Sequence, residues 1–264
     1  MINIVDLGAR GGLNFDVERF TSEFRVFAIE LDPEECSRLN EIEKGKQTSR
    51  THYFPVALSS KNETRNFYLT EDPACSSMYP PSKYLAKRYR ELECIDPHSI
   101  MTIECETLDS WAASNSIDYI DYLKLDTQGS ELDILMGPIQ TLSRTSMVEI
   151  EVEFSPIYEG QPLFADVDTF MRANGFALWN LGNLVHYAIA ENKELKSNLT
   201  TFHNSKRFDM PNAGGQLYWG HALYVSKYFL GDSTQYKREN RVNELIEVAN
   251  VLGFYDLSDE ITSG

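Results

Sequence analysis

The sequence predicts an α/β fold in which a mostly parallel β-sheet is covered by helices on both faces. Three observations carry this. Short aliphatic runs such as Ile2 to Leu7 and Asp118 to Leu125 alternate with segments of helical periodicity. In the clearest of these segments Leu132, Leu135, Met136 and Ile139 fall at i, i+3, i+4 and i+7, which makes one apolar stripe. The first run ends in a glycine-rich turn, Gly8-Ala9-Arg10-Gly11-Gly12, at the kind of place where open sheets bind ligands.

The elements follow in order. Ile2 to Leu7 is the first strand and Phe24 to Ile29 the second. A helix opens at Asp32-Pro33-Glu34-Glu35: Asp32 can cap free N–H groups, and Pro33 suits the first helical position. His52 to Leu58 is a third strand, and Asn66 to Leu69 adds a short edge. Thr107 to Ser114 is a helix, Asp118 to Leu125 a strand, Gly129 to Leu142 a helix and Met147 to Phe154 a strand. Phe164, Val167, Phe170 and Met171 mark another helical face, ended by Asn174-Gly175. Phe176 to Trp179 and His221 to Val225 are the last strands. A tail helix over Ser233 to Leu252 carries Val242, Leu245, Ile246, Ala249 and Leu252 on one face, suited to packing on the parent domain, with a homodimer contact as the alternative.

Two stretches interrupt the rhythm: the proline- and tyrosine-rich segment of about 71–101 and the polar segment of about 182–220. Both read as lid or binding loops. The chain thus divides into a main domain over 1–231 and a helical tail over 232–264.

Charge excludes several functions. The 264 residues hold 24 Lys plus Arg against 40 Asp plus Glu, a net charge of −16. Nucleic-acid backbones and anionic membranes attract clustered cations, so neither is expected as a partner. No secretory start and no apolar run of membrane length are present in the sequence, and a cytoplasmic location is expected. Cys36, Cys75, Cys94 and Cys105 are widely spaced, as expected of reduced thiols.

The first loop reads Asp6-x-Gly8-x-x-x-Gly12 rather than the G-x-G-x-x-G of dinucleotide sites. A carboxylate ahead of the first glycine suits a ligand with an ammonium group. Glu30 lies 24 residues after Asp6 at the end of the second strand, where an acid can accept hydrogen bonds from ribose hydroxyls. Together they point to a nucleoside with a cationic tail, a description that S-adenosylmethionine fits. On these residues alone an NAD-dependent oxidoreductase and a non-catalytic nucleoside-binding module stay open as rivals.

Several motifs then converge: Val5-Asp6-Leu7-Gly8-Ala9-Arg10-Gly11-Gly12, Ile29-Glu30-Leu31-Asp32-Pro33, Ala57-Leu58-Ser59, Thr107-Leu108-Asp109, Leu123-Lys124-Leu125-Asp126-Thr127-Gln128-Gly129-Ser130-Glu131-Leu132, Glu149-Ile150-Glu151 and Tyr158-x-Gly160-Gln161. In their order and spacing the chain resembles the FkbM-type S-adenosylmethionine-dependent methyltransferases over about residues 2–225. The resemblance implies a Rossmann-like class I methyltransferase fold with seven strands, the last antiparallel. It implies O-methylation of a hydroxyl on a sugar, glycan or secondary metabolite. It implies a cofactor site at Asp6, Gly8, Ala9, Arg10, Gly12, Glu30, Leu31, Ala57, Leu58 and Asp126. Gln128 stands where the family often has Glu. The chain also starts at its first strand, so the 71–101 insertion is expected to cover the cofactor in place of a helical lead-in.

The central strands supply the candidate chemistry. Lys124 on an apolar strand is costly to bury unpaired. Glu149, Glu151 and Glu153 share a face of the neighbouring strand, so a Lys124–glutamate pair is expected, with Glu151 the favoured partner. Asp126 ends its strand, where it can orient the cofactor or take the acceptor's proton. His221 is the second candidate base. Asp126, Glu151, Glu153 and His221 offer an oxygen-rich set for Mg2+, but no compact ligand motif is present and a required metal is not expected. Ser76, Ser77, Tyr79 and Tyr84 are expected to line the lid.

Overall fold

The computed structural model describes residues 1–46, 50–137, 140–187, 216–230 and 241–263. Among these described residues ten strands form two sheets. β1 (Ile2–Leu7), β2 (Phe24–Ile29) and β3 (Thr51–Phe54) lie in the large sheet with β7 (Ile120–Leu125), β8 (Thr145–Glu153), β9 (Phe176–Tyr187) and β10 (Gln216–Ser226). Their order is β3-β2-β1-β7-β8-β10-β9, parallel except that β10 runs antiparallel to both β8 and β9. This is the seven-stranded class I methyltransferase arrangement, with its last strand reversed. The order switches direction between β1 and β7, so the carboxyl ends of these strands open the crevice where such sheets bind ligands.

Alternation along the strands gives the sheet two different faces. Val5, Leu7, Leu123, Leu125, Val148, Ile150 and Val152 point to an apolar face covered by α3 (Leu108–Ser114), α4 (Glu131–Leu135) and α5 (Phe164–Ala173). The opposite face begins apolar, with Ile2, Ile4, Tyr122, Met147, Leu223 and Val225. Towards the carboxyl ends the same rows continue as Asp6, Lys124, Glu149, Glu151 and His221. The tail helices α6 (Val242–Leu252) and α7 (Tyr255–Ser263) cover its apolar part, burying Leu245, Val248, Ala249 and Leu257 completely. Each fully buried leucine contributes roughly 1.5–3 kcal/mol. The tail therefore packs on its own domain. α1 (Pro33–Lys44) turns Cys36 and Leu39 onto Ala28 and Tyr53, and Asp32 Oδ1 caps it by accepting from Glu34 N at 2.9 Å and Glu35 N at 3.3 Å.

Several elements differ from the sequence reading. The strand expected over 52–58 is split at Pro55, which has no N–H to give a ladder. Its second part, β4 (Ala57–Leu58), leaves the large sheet and pairs with β6 (Pro97–Glu106), which in turn pairs antiparallel with β5 (Glu63–Thr70). The edge strand expected at 66–69 is therefore an eight-residue member of a second sheet, and the end of the expected 71–101 loop is its partner. On β6 only Ile103 and Cys105 alternate inward, while Ile100 and Met101 before them are both exposed, so only the end of this strand carries a pattern. The helix expected over 129–142 is only Glu131–Leu135. Gly137 and Pro138 follow it in the sequence, a pair that does not continue a helix, and a Cβ on Gly137 would crowd the Ser60 carbonyl. Met136 is exposed rather than part of the stripe, and Ile139 lies outside the described residues. β9 and β10 are longer than expected and reach into the 182–220 segment, whose residues 188–215 lie outside the described ones. α6 begins at Val242, with residues 233–240 of the expected helix outside the described set, and α7 is a further helix that the sequence reading does not separate.

Candidate active site

A cavity of about 600 Å³ opens at the carboxyl ends of β1, β2, β7 and β8, within the roughly 300–1,000 Å³ usual for small-molecule sites. Its first wall is the turn after β1. Gly8 N and Ala9 N both donate to Ile29 O, at 2.9 and 3.0 Å, which clamps the turn to the end of β2. Gly8 has φ +85°, and a Cβ there would stand 1.8 Å from Asp126 O, so only glycine allows β1 and β7 to close together. Gly11 N donates to Glu35 Oε1 at 3.1 Å and ties the turn to α1.

Glu30 and Leu31 continue this wall. Glu30 Oε1 accepts from Asp32 N at 2.9 Å and stands 3.5 Å from Arg10 Nη1, contacts that leave Oε2 for a ligand. Burial raises the Glu30 pKa, while the Asp32 amide and Arg10 pull it down. Arg10 also reaches Asp32 Oδ2 at 3.3 Å. Ala57 and Leu58 with Phe67 and Met78 make an apolar floor, the last two from the second sheet and the insertion. Ala9 and Gly12 face away, into the small cluster of α1 and Tyr53.

The second wall comes from β7, β8 and β10. Asp6, Lys124 and Glu149 stand side by side in register across β1, β7 and β8. Lys124 Nζ lies 3.5 Å from Asp6 Oδ1 and 3.3 Å from Asp126 Oδ2. The expected Lys124–Glu151 pair is therefore replaced by a pair with Asp6, because Asp6 is the in-register neighbour and Glu151 lies two residues farther along β8. Burial opposes the Lys124 charge, but Asp6, Asp126 and Glu149 outweigh it and raise its pKa. Asp6 is pushed up to about 6 by burial, against the pull of Lys124. Neither residue is on the cavity wall, so the Asp6 carboxylate is directed to Lys124.

Asp126, Glu151 and His221 meet at the cavity's polar corner, with one donor atom of each within 4.8 Å of the others. His221 Nδ1 lies 3.0 Å from Glu149 Oε1, and Glu149 Oε2 accepts from Tyr122 Oη at 2.7 Å. Burial of Asp126 is outweighed by Lys124 and His221, and its carboxyl lies below the ordinary range. Glu151 lies well above it, first through burial and then through Asp126 and Glu153. Gln128 Nε2 bridges the two carboxylates, 3.2 Å from Asp126 Oδ1 and 2.7 Å from Glu151 Oε2. Gln128 adopts φ +58°, held by Ser77 Oγ on its carbonyl at 2.6 Å and by Tyr158 Oη on its Oε1 at 3.0 Å.

Residues 6–178 match the family model described as the methyltransferase FkbM domain. The chain belongs to the FkbM methyltransferase family. It is 28% identical over 176 residues to the 2-O-methyltransferase NoeI of Sinorhizobium fredii, covering 62% of this chain and 69% of that protein. Among solved structures it is similar to methyltransferase FkbM from Methylobacillus flagellatus KT, with a TM-score of 0.44, 14% identity, 85% of this chain and 43% of that one. It is also similar to magnesium protoporphyrin IX methyltransferase from Synechocystis PCC 6803 with bound SAM, with a TM-score of 0.40, 10% identity, 84% of this chain and 69% of that one. The chain thus spans less than half the length of the first of these structures.

Of the residues expected in the FkbM site, Gly8, Arg10, Glu30, Leu31, Ala57, Leu58, Asp126, Glu151 and His221 line the cavity, and Asp6, Ala9, Gly12 and Lys124 stand behind it. From the expected lid Ser76 is on the wall, Ser77 is buried on Gln128, Tyr79 Oη bonds Asp133, and Tyr84 is exposed elsewhere. Cys75 and Cys94, with Sγ atoms 3.0 Å apart, also border the cavity. Sequence reasoning missed the Glu149–His221 contact, Gln128 and Tyr158 as parts of the corner. The even-residue row Tyr122, Lys124, Asp126 beside Glu149 and Glu151 was the available signal, but only the register of β10 brings His221 to it.

Proposed function

We propose that this methyltransferase uses S-adenosylmethionine and methylates a hydroxyl group of a sugar, glycan or secondary metabolite in the cytoplasm. The observation that carries the reading is that Glu30 and the Asp126–Glu151–His221 corner line one cavity. The residues fit the cofactor: Glu30 Oε2 suits ribose hydroxyls, Ala57, Leu58, Phe67 and Met78 suit a flat base, and the Gly8 turn lets a ligand lie close to the backbone. When bound, S-adenosylmethionine supplies the methyl group and a sulfide leaving group.

The chain's own tasks are to align the acceptor and receive its proton. Asp126 and His221 face the cavity at the corner, and Glu149 fixes the imidazole orientation. Lys124, behind Asp126, holds that carboxylate in its charged form. Tyr158, Tyr187 and Trp219 present aromatic surface beside the corner, with Trp219 Nε1 donating to Tyr187 Oη at 2.9 Å. Aromatic faces and acceptor-rich carboxylates favour a neutral polyol over an anion. Calorimetry should detect S-adenosylmethionine or its demethylated product, and labelled-methyl transfer to extract metabolites should fall at least tenfold in His221→Asn. No cofactor binding at millimolar concentration would overturn the reading.

A further inference from the structure

The polar corner raises a question of charge. One donor atom of each of Asp126, Glu151 and His221 lies within 4.8 Å of the others, and the Gln128 amide is the neutral donor that bridges the two carboxylates. Glu131 and Glu153 are buried nearby, and Lys124 is already divided between Asp6 and Asp126 Oδ2. We propose that Asp126, Glu151 and His221 bind one divalent first-row transition-metal ion, of the Mn2+ or Zn2+ type.

Four features beyond the acid pair point to a metal. First, Glu151 and His221 stand on β8 and β10, directly paired across the sheet, and Asp126 is the first residue after β7, so the set is held largely by three adjacent strands. Second, His221 shows the outer-shell pattern of a metal-binding histidine: Nδ1 is engaged by the buried Glu149 carboxylate, which Tyr122 Oη anchors in turn. That contact fixes the ring, and an imidazole whose Nδ1 is held in this way can ligate through Nε2. Third, the Gln128 amide bridges Asp126 and Glu151 from one side, orienting both carboxylates as an outer-shell donor does. Fourth, three protein ligands leave coordination positions open to the cavity, as in catalytic rather than structural sites. Two carboxylates and an imidazole match Mn2+, Fe2+ or Zn2+ better than Mg2+, which prefers an all-oxygen shell.

The ion would deepen the methyl-transfer reading and, for its role, rests on it: a cation at the corner would polarise the acceptor hydroxyl for loss of its proton. Its binding does not depend on that reading and can be measured alone. Full-length protein stripped with chelator should take up one Mn2+, read by the loss of the free-ion resonance in electron paramagnetic spectra and by calorimetry. Zn2+ should compete, and Mg2+ should compete at least tenfold less well. His221→Asn and Glu151→Gln should each weaken Mn2+ binding at least tenfold, with folding checked by thermal unfolding and cofactor affinity measured in parallel. Asp126→Asn gives a third readout if either of these fails to fold. No uptake of Mn2+ or Zn2+ at millimolar concentration, alongside intact S-adenosylmethionine binding, would leave the corner bridged by the Gln128 amide alone. That would overturn the proposal and leave the function standing. Uptake that all folded variants retain would also overturn it. Uptake lost in the variants, in a protein that binds no S-adenosylmethionine, would support the metal and refute the cofactor.

Discussion

The two walls of the cavity are built in opposite ways. The Gly8–Glu30 wall is made of neighbours in sequence: a turn, the strand end beside it and the cap of α1, joined by backbone hydrogen bonds. The Asp126–Glu151–His221 wall is made of side chains up to 95 residues apart, brought together across three strands. A local wall can be read as a motif. A wall assembled by register holds buried charge that only the completed sheet can pair, so it concentrates both the stability risk and the chemistry.

The sharpest way to break this contrast is Lys124→Met. It leaves Asp6 and Asp126 without their common cation, and a loss of roughly 3–5 kcal/mol in denaturant unfolding is expected. Adding Asp6→Asn should recover part of that loss, because it removes the charge that was stranded. Equal losses in the single and double variants would show that Lys124 matters for packing alone. Gly8→Ala tests the joint between the walls. Its Cβ would collide with the Asp126 carbonyl, and φ +85° disfavours any side chain, so a loss of about 2–4 kcal/mol is expected. Unchanged stability would show that β1 and β7 part without cost.

These two variants also mark what was legible beforehand. The sheet, the Asp32 cap and the place of Glu30 followed from alternation and turn chemistry that act over a few residues. The second sheet did not, because β6 alternates only over Ile103 to Cys105 and exposes both Ile100 and Met101 before them. The partner of Lys124 was misread for a related reason. Glutamates on the next strand were visible in the sequence, whereas the register that sets Asp6 beside Lys124 depends on how β1 pairs with β7. The same holds for His221, which reaches Glu149 only because β10 runs antiparallel beside β8.

A smaller effect is expected on the local wall. Glu30→Ala removes one acceptor and leaves Arg10 its contact with Asp32. Calorimetric affinity for S-adenosylmethionine should fall about tenfold, some 1.4 kcal/mol, with unfolding midpoint nearly unchanged. A large fall in stability instead would show that this wall, too, is held together by its charges.

The smallest effect concerns the tie between the glycine turn and α1. Glu35 accepts from Gly11 N and is gripped by Arg38 at 2.7 Å, and the Arg38 hydrogen bond is the main cause that lowers the Glu35 pKa from 4.5 to about 2. A depressed carboxylate pKa contributes stability that is fully present above its unfolded value and fades as pH falls through the folded one. The Glu35 contribution should therefore hold above pH 4.5 and disappear towards pH 2. Arg38 is more than half exposed, so Arg38→Ala should leave cofactor affinity unchanged and lower the unfolding midpoint at pH 7 only slightly, since Glu35 keeps Gly11. Glu35→Ala should cut cofactor affinity by a few-fold, because the turn loses its anchor while its two clamps on Ile29 remain. The decisive comparison is between the two variants: if Arg38→Ala weakens cofactor binding as much as Glu35→Ala, the turn is held by the surface ion pair rather than by the backbone contact, and even the local wall depends on charge.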